Sequence, residues 1–307
     1  MRSGSPAARG MSRLKADALL LAASILWGVT FVVQKNAVGE LPPLAFVAAR
    51  FLVSGIALAP FALLEQGRAV AHIAPRDWRL ALLTAAALFL ASSLQQAGIE
   101  TTSATNAGFL TACYVVLTPF IVWALSRTPP RAAVVAASFV SLFGAGLLAT
   151  GGGPAQPATI GDGLVLAADF SWAAGLALTS MFLARAPRPL TLAFVQYTVC
   201  FGLAALASLV LETVEPRQFV EAAPWILFAG LVSGALAYTL QIVALGYAPP
   251  AEAALILSLE SVFAALAGAL MLGERLTLLG ATGCALILIG AVAVEIEPMV
   301  RRRTAKG

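Results

Sequence analysis

Three ionisable side chains, Arg50, Asp169 and Glu260, stand well inside stretches that are otherwise apolar. The segment "ILSLESVFAALAGALMLGE", residues 256–274, is nearly long enough to cross a bilayer, yet it carries Glu260. Each such charge costs roughly 2.5–3.5 kcal/mol at a helix centre on insertion scales, so it must face protein or water and find a partner. Three chemistries answer that need. The charges could pair internally, Arg50 with Glu260 or with Asp169. A carboxylate could meet the amine of a ligand, or it could carry a proton. A carboxylate taken out of water holds its proton more firmly and one beside a cation releases it, so the surroundings decide between carrier and structural pair. Glu252 and Glu100 lie near segment ends and read as solvated or capping groups.

Around these charges lie aromatic and amide side chains at helical spacing. Ser24, Trp27, Phe31 and Gln34 recur at i, i+3, i+7 and i+10, one face of a helix, with Thr30 beside them. Asp169, Trp172, Leu176 and Thr179 occupy the corresponding face of a later segment. Ser92, Gln95 and Gln96 form a polar group at i, i+3 and i+4, and Tyr238 with Gln241 another. Together they read as the lining of a cavity that binds substrate through Trp27, Phe31, Gln34, Gln95, Trp172, Tyr238 and Gln241. The competing reading is packing: tryptophans that fill space, and amides that bridge helices at about 0.6 kcal/mol each. Trp78, Trp123 and Trp225 fall at segment ends, where an interfacial aromatic belt accounts for them. Gly230-x-x-x-Gly234 marks close helix packing. The run "GAGLLATGGG" from Gly144 lacks the Lys and Ser/Thr of a phosphate loop.

The elements that position these residues follow from composition. Of 307 residues 60% are hydrophobic and 11% charged, and the mean hydropathy is +0.91, values that belong to an integral membrane protein. A helix needs roughly 20 apolar residues to cross a hydrocarbon layer about 30 Å thick. Ten segments meet that length, near 16–35, 43–64, 77–98, 104–125, 131–150, 161–184, 189–211, 223–246, 251–272 and 276–296. Trp27 and Trp172 each lie about 16 Å into their segments at ~1.5 Å per residue, close to the midplane. Residues 1–15 read as a disordered cytoplasmic arm, in which Met11 is an alternative start, and 297–307 as a basic cytoplasmic tail. Cys113, Cys200 and Cys284 all fall within spans and form an odd set, which points to neither a disulfide framework nor a metal site. No cofactor is expected, and no basic patch interleaved with aromatics points to nucleic acid.

Basic residues orient the chain. With the N-terminus inside, the cytoplasmic segments hold Arg2, Arg9, Arg13 and Lys15, then Arg68, Arg76 and Arg79, then Arg127 and Arg131, then Arg185 and Arg188, and finally Arg301, Arg302, Arg303 and Lys306. The outer segments hold Lys35, Arg217 and Arg275. The positive-inside rule therefore places both termini in the cytoplasm of a cell (inner or plasma) membrane.

The chain also repeats itself. "ADALLLAASILWG" from Ala16 matches "GDGLVLAADFSWA" from Gly161, setting Asp17 on Asp162 and Trp27 on Trp172. "LAFVAAR" from Leu44 overlies "LAFVQYT" from Leu192 at nearly the same offset. "SLQQAGIETTSATNAGFLTACYVV" from Ser93 overlies "TLQIVALGYAPPAEAALILSLESV" from Thr239, setting Gln95 on Gln241, Asn106 on Glu252 and Tyr114 on Glu260. Two units of five spans, 16–150 and 161–296, are expected. Because five is odd, the second enters the membrane from the opposite side. The fold class is thus all-α integral membrane: ten transmembrane helices as two inverted five-helix repeats, with a binding site near the midplane between them.

"LLAASILWGVTFVVQK" with "PPLAFVAARFLVSG", and "APPAEAALILSLESVFAALAGALMLGERLT", resemble the two signatures of EamA-type members of the drug/metabolite transporter superfamily, over about residues 16 to 296. The resemblance implies a ten-helix fold and transport, often export, of small metabolites including amino acids. Ser261 departs from it, because many relatives carry Pro after the Glu, and the local bend of that helix is left open. Enzymes in membranes need nucleophile and base pairs or metal-binding clusters. This chain has one histidine, His72, in a cytoplasmic loop, which argues against an enzyme. A transporter for neutral, apolar or aromatic amino acids or related amphiphilic molecules is the leading expectation, acting as monomer or homodimer. A carrier of nucleotide sugars or phosphorylated metabolites, or a membrane sensor or scaffold without transport, are the alternatives.

Overall fold

A chain so rich in apolar residues can satisfy its backbone in lipid by hydrogen-bonding it within helices. The computed structural model describes residues 11–37, 39–68, 73–102, 104–151, 159–272 and 277–304, with the side chains of 31–37, 104–106, 108, 268, 271–272 and 295–304 also outside the described residues. Among them the elements are α1 Arg13–Ala37, α2 Pro43–Gly67, α3 Pro75–Thr101, α4 Ala104–Thr111, α5 Tyr114–Ser126, α6 Ala132–Thr150 and α7 Ile160–Arg185. There follow α8 Pro189–Leu211, α9 Pro216–Glu221, α10 Ala223–Phe228, a π-helical segment Ala229–Tyr238, α11 Thr239–Leu245, α12 Pro250–Leu257, α13 Glu260–Leu272 and α14 Leu278–Thr304. The described residues hold no strand.

Eight helical stretches among the described residues are long and apolar enough to cross a membrane, and Leu278–Val294 is a shorter apolar one. Large apolar side chains point outward along them, among them Leu209 at 83% and Val210 at 74% exposure, a surface that needs hydrocarbon around it. The molecule is a multi-pass membrane protein. Helix starts are written locally. Pro43, Pro75, Pro189 and Pro250 stand first in α2, α3, α8 and α12, where a missing N–H costs nothing. Thr159 and Asp162 form a capping box on α7, and Thr102 donates a further hydrogen bond to Asp162.

The two halves meet through reciprocal caps. Glu65, near the end of α2, accepts hydrogen bonds from the backbone N–H groups of Leu190 and Thr191 at the start of α8, at 3.2 and 2.6 Å. Glu212, just past α8, accepts from Leu44 and Ala45 at the start of α2, at 2.8 and 2.9 Å. Each acid thus satisfies the free donors of the opposite helix. The arrangement is what a twofold relation between α2 and α8 requires. It also corrects the register: the caps set Leu44 on Leu190 and Ala45 on Thr191, whereas the "LAFV" identity set Leu44 on Leu192. A two-residue slip hardly changes an apolar sequence, but it would move the caps off their donors.

Two spans are each built of two helices. Between α4 and α5 the N–H groups of Ala112 and Cys113 bond back three residues, to Phe109 and Leu110. Between α12 and α13, Leu259 and Ser261 bond back to Ile256 and Ser258 in the same way. Ser258 Oγ donates to the Leu255 carbonyl at 2.7 Å and lies 3.0 Å from Ser141 Oγ. This back-bonding supplies the break that Ser261, in place of proline, left open. The breaks fall at equivalent places: Tyr114 opens α5 and Glu260 opens α13.

Candidate functional site

The broken helices and the π-helical segment converge on one cavity. It holds about 780 Å³ of space free of protein atoms, its mouth included, and is lined by residues of both halves. From α1 come Trp27 and Thr30, from α2 Arg50 and Phe51, from α3 Gln95, from α4 and α5 Thr111 and Tyr114. From α7 come Trp172 and Leu176, from the π-helical segment Ala229, Ser233, Gly234 and Tyr238, and then Gln241, Leu257 and Glu260.

Aromatic rings form the wall. Tyr238 lies between the two tryptophans, its ring 6.1 Å from Trp27 and 6.3 Å from Trp172, both tilted by just over 50°. Tyr197 adds a ring 6.0 Å from Tyr238 and stacks at 5.8 Å on Phe51. These spacings fall in the range where aromatic pairs attract. Tyr197 was absent from the expected lining and is fully buried; it supports the wall from behind. In the register set by the caps it is the counterpart of Phe51, a ring opposite a ring.

The π-helical segment is anchored through its carbonyls. Ser233 accepts from Trp27 Nε1 at 3.1 Å, Gly234 from the Tyr197 hydroxyl at 2.9 Å, and Gly230 from Ser54 Oγ at 2.8 Å. The glycines make room for α2: a Cβ on Gly230 would lie 2.6 Å from that of Val53, and one on Gly234 2.1 Å from Ser54 Oγ. Gly230-x-x-x-Gly234 therefore does pack a helix, as its spacing indicated. The two tryptophans are not equivalent in their bonding. Trp172 Nε1 is buried with no hydrogen-bond partner among the described residues.

Of the expected site residues, Trp27, Gln95, Trp172, Tyr238 and Gln241 face the one cavity. Phe31 and Gln34 fall within α1, their side chains outside the described residues, and His72 lies outside them altogether. Gln95 Nε2 donates to Thr111 Oγ1 at 3.0 Å, tying α3 to α4 across the lining. The charges divide. Glu260 and Arg50 line the cavity, each 7% exposed. Asp169 does not; it is fully buried, and neither of its oxygens has a partner among the described residues. No ion pair joins Arg50 to either acid among the described residues. The Arg50 guanidinium instead lies 4.9 Å from the Phe51 ring centre and 5.9 Å from that of Phe46, and its Nε is buried without a partner.

Glu252 corrects an expectation. It is neither solvated nor a cap but 8% exposed, and it is ion-paired with Arg13 at 2.6 Å and with Arg131. Arg13 also holds Asp17 at 2.6 Å. These pairs tie the starts of α1, α6 and α12 together at one end of the molecule. Each basic residue reads as surface charge by itself, and the convergence arises from three helix ends meeting. Glu100, by contrast, is exposed. Among the described residues no group of three His, Cys, Asp or Glu could hold a metal ion, and the cysteines are free.

The sequence pattern that defines the EamA-like transporter family matches twice, over residues 14–150 and 159–295. An uncharacterized transporter of Archaeoglobus fulgidus is 31% identical over 290 residues, covering 94% of this chain and 89% of that protein. An uncharacterized transporter of Bacillus subtilis, YwfM, is 26% identical over 298 residues, covering 94% and 95%. A solved crystal structure with 19% identity superposes with a TM-score of 0.77 over 95% of this chain and 99% of that one, a likeness of fold.

Proposed function

Because the chain belongs to the EamA-like transporter family, we propose that it is a ten-span secondary transporter of the cell membrane that exports a small molecule through the cavity between its halves. The favoured cargo has one flat or apolar end and one polar end: a neutral, apolar or aromatic amino acid or a related metabolite. The observation that carries this reading is the meeting of Trp27, Trp172 and Tyr238 in one cavity with the amides of Gln95 and Gln241. Rigid aromatic walls with few convergent polar groups suit such a molecule. A phosphorylated cargo would call for several cations, and Arg50 is the single cation among the described lining residues.

Counterflow of labelled amino acids in proteoliposomes tests the reading. Trp27→Ala and Trp172→Ala are each expected to raise the half-saturation concentration about tenfold, equivalent to about 1.4 kcal/mol of lost contact. If both leave transport of every accepted substrate unchanged, the rings are packing and the proposed cargo falls with them. The proposed topology puts both termini in the cytoplasm. A reporter fused at the C-terminus should be active if it works inside the cell and silent if it works outside; the reverse pattern refutes ten spans from an inner N-terminus.

A further inference from the structure

The cavity reaches toward one end of the molecule and is shut toward the other. Thr30 on α1, Arg50 on α2 and Ala229 past α10 line it, each within about 10 Å of the end where α1 finishes and α2 starts. Toward the opposite end the lining stops on α12 at Leu257, and Ala253, Ala254 and Leu255 below it are fully buried. Glu252 follows about 7 Å below Leu257, at the start of the same helix. One of its carboxylate oxygens meets Arg13 Nη1 at 2.6 Å and the other meets Arg131 Nη2, while Asp17 holds Arg13 Nε at 2.6 Å. The starts of α1, α6 and α12 are thus fastened beneath the cavity floor by charge. Buried ion pairs add little to stability over an apolar seam, but their members can be parted into water, which suits a contact that must break and re-form.

The moving parts are duplicated and the fastening is not. α4 and α12 are both eight-residue helices that end at a break, one in each half. In the sequence repeat, however, Glu252 falls on Asn106, Arg131 on Thr277 and Arg13 on Ala158, so the equivalent positions at the far end carry no charge. We infer that Arg13, Glu252 and Arg131 form a lock that keeps the cavity shut at their end, and that α12 is the gate, swinging about the Ser258–Leu259 break when the lock parts. Because the repeat does not write the same lock at the far end, the form open at the far end is the resting state. This rests on the topology proposed above, which puts the locked end in the cytoplasm, and adds what sets the balance between the two openings. Two repeats of like build would open either end with similar ease, and a difference in the contacts that close each end tilts the populations.

The test reads access to the cavity and needs no cargo. Ser233→Cys places one thiol on the lining of a chain that also carries Cys113→Ala, Cys200→Ala and Cys284→Ala, and a charged, membrane-impermeant methanethiosulfonate is added to one face or the other of oriented vesicles. In this parent, reaction from the outer face is expected to be at least about tenfold faster than from the cytoplasmic face. Glu252→Gln removes the charge that both arginines meet and is expected to raise the cytoplasmic rate about tenfold and lower the outer one. Arg131→Gln leaves Glu252 its pair with Arg13 and should shift both rates the same way by a smaller factor. Arg217→Gln removes an exposed pair with Glu221, also 2.6 Å long, and as the control should change neither rate. Unchanged cytoplasmic access in monodisperse Arg131→Gln protein, whether or not Glu252→Gln folds, refutes the lock. If instead the parent reacts faster from the cytoplasmic face and the variants open the outer one, the lock stands and the proposed orientation of the chain is refuted.

Discussion

Glu260→Gln is expected to abolish the response of transport to a pH gradient while exchange of substrate across the membrane continues. Glu260 opens α13 at the break in its span, faces the cavity, and has no hydrogen-bond or ion-pair partner among the described residues. A free carboxylate at such a point can take a proton from one side and release it to the other, and glutamine keeps the shape while removing that ability. The measurement is paired: uptake into proteoliposomes under an imposed pH gradient, and counterflow with no gradient. Loss of the first with survival of the second assigns the proton to Glu260. Retained pH-gradient-driven transport in a well-folded Glu260→Gln protein removes the assignment. The alternative use, a structural pair with Arg50, predicts a different outcome, in which each single change impairs folding and removal of both charges restores it. Arg50 rests on aromatic rings with no carboxylate paired to it among the described residues, and this favours the first outcome.

A second large effect is expected at the crossing of α3 and α7, about one helical turn beyond Gln95. Gly161→Val should cost about 3 kcal/mol or more in stability and remove most folded protein from detergent extracts. Here α3 and α7 cross almost backbone to backbone. A Cβ on Gly161 would stand 2.3 Å from the Gly98 carbonyl oxygen and 2.4 Å from Thr101 Oγ1, and one on Gly98 2.8 Å from the Gly161 carbonyl oxygen. Backbone on both sides leaves neither partner free to swing away. Gly163, two residues on, has nothing within 4 Å of an added Cβ, so Gly163→Ala is the control and should leave folding unchanged. Monodispersity on size-exclusion chromatography and thermal unfolding of the two variants compare them directly. Equal stability of the two would show that α3 and α7 separate at this crossing without cost.

Much of this architecture is legible in the sequence because it is imposed by the bilayer and by local chemistry. A hydrocarbon layer sets the length of each apolar run, prolines mark where α2, α3, α8 and α12 begin, and Thr159 with Asp162 starts α7. Duplication is legible for the same reason: Trp27 and Trp172 stand at matching places in the two repeated segments, and both meet Tyr238. Small residues are visible too, Gly161 on Ala16, but their presence does not say how closely two helices approach.

What tertiary structure decided is which faces meet. Helical periodicity places Asp169 and Trp172 on one side of α7, yet Trp172 lines the cavity and Asp169 does not. A helix of about 3.6 residues per turn presents neighbours on a face to different partners as another helix crosses it at an angle. Tyr197 joins the aromatic wall because α8 lies against α2 in the register the caps impose, two residues from the one that identity of apolar letters prefers. Glu252 finds Arg13 and Arg131 across 239 and 121 residues of chain, a distance over which no pattern of spacing carries information. Apolar sequence is nearly degenerate under small slips. The polar atoms that remove the degeneracy, caps, carbonyls of the π-helical segment and buried charges, act through contacts that exist once the helices are assembled.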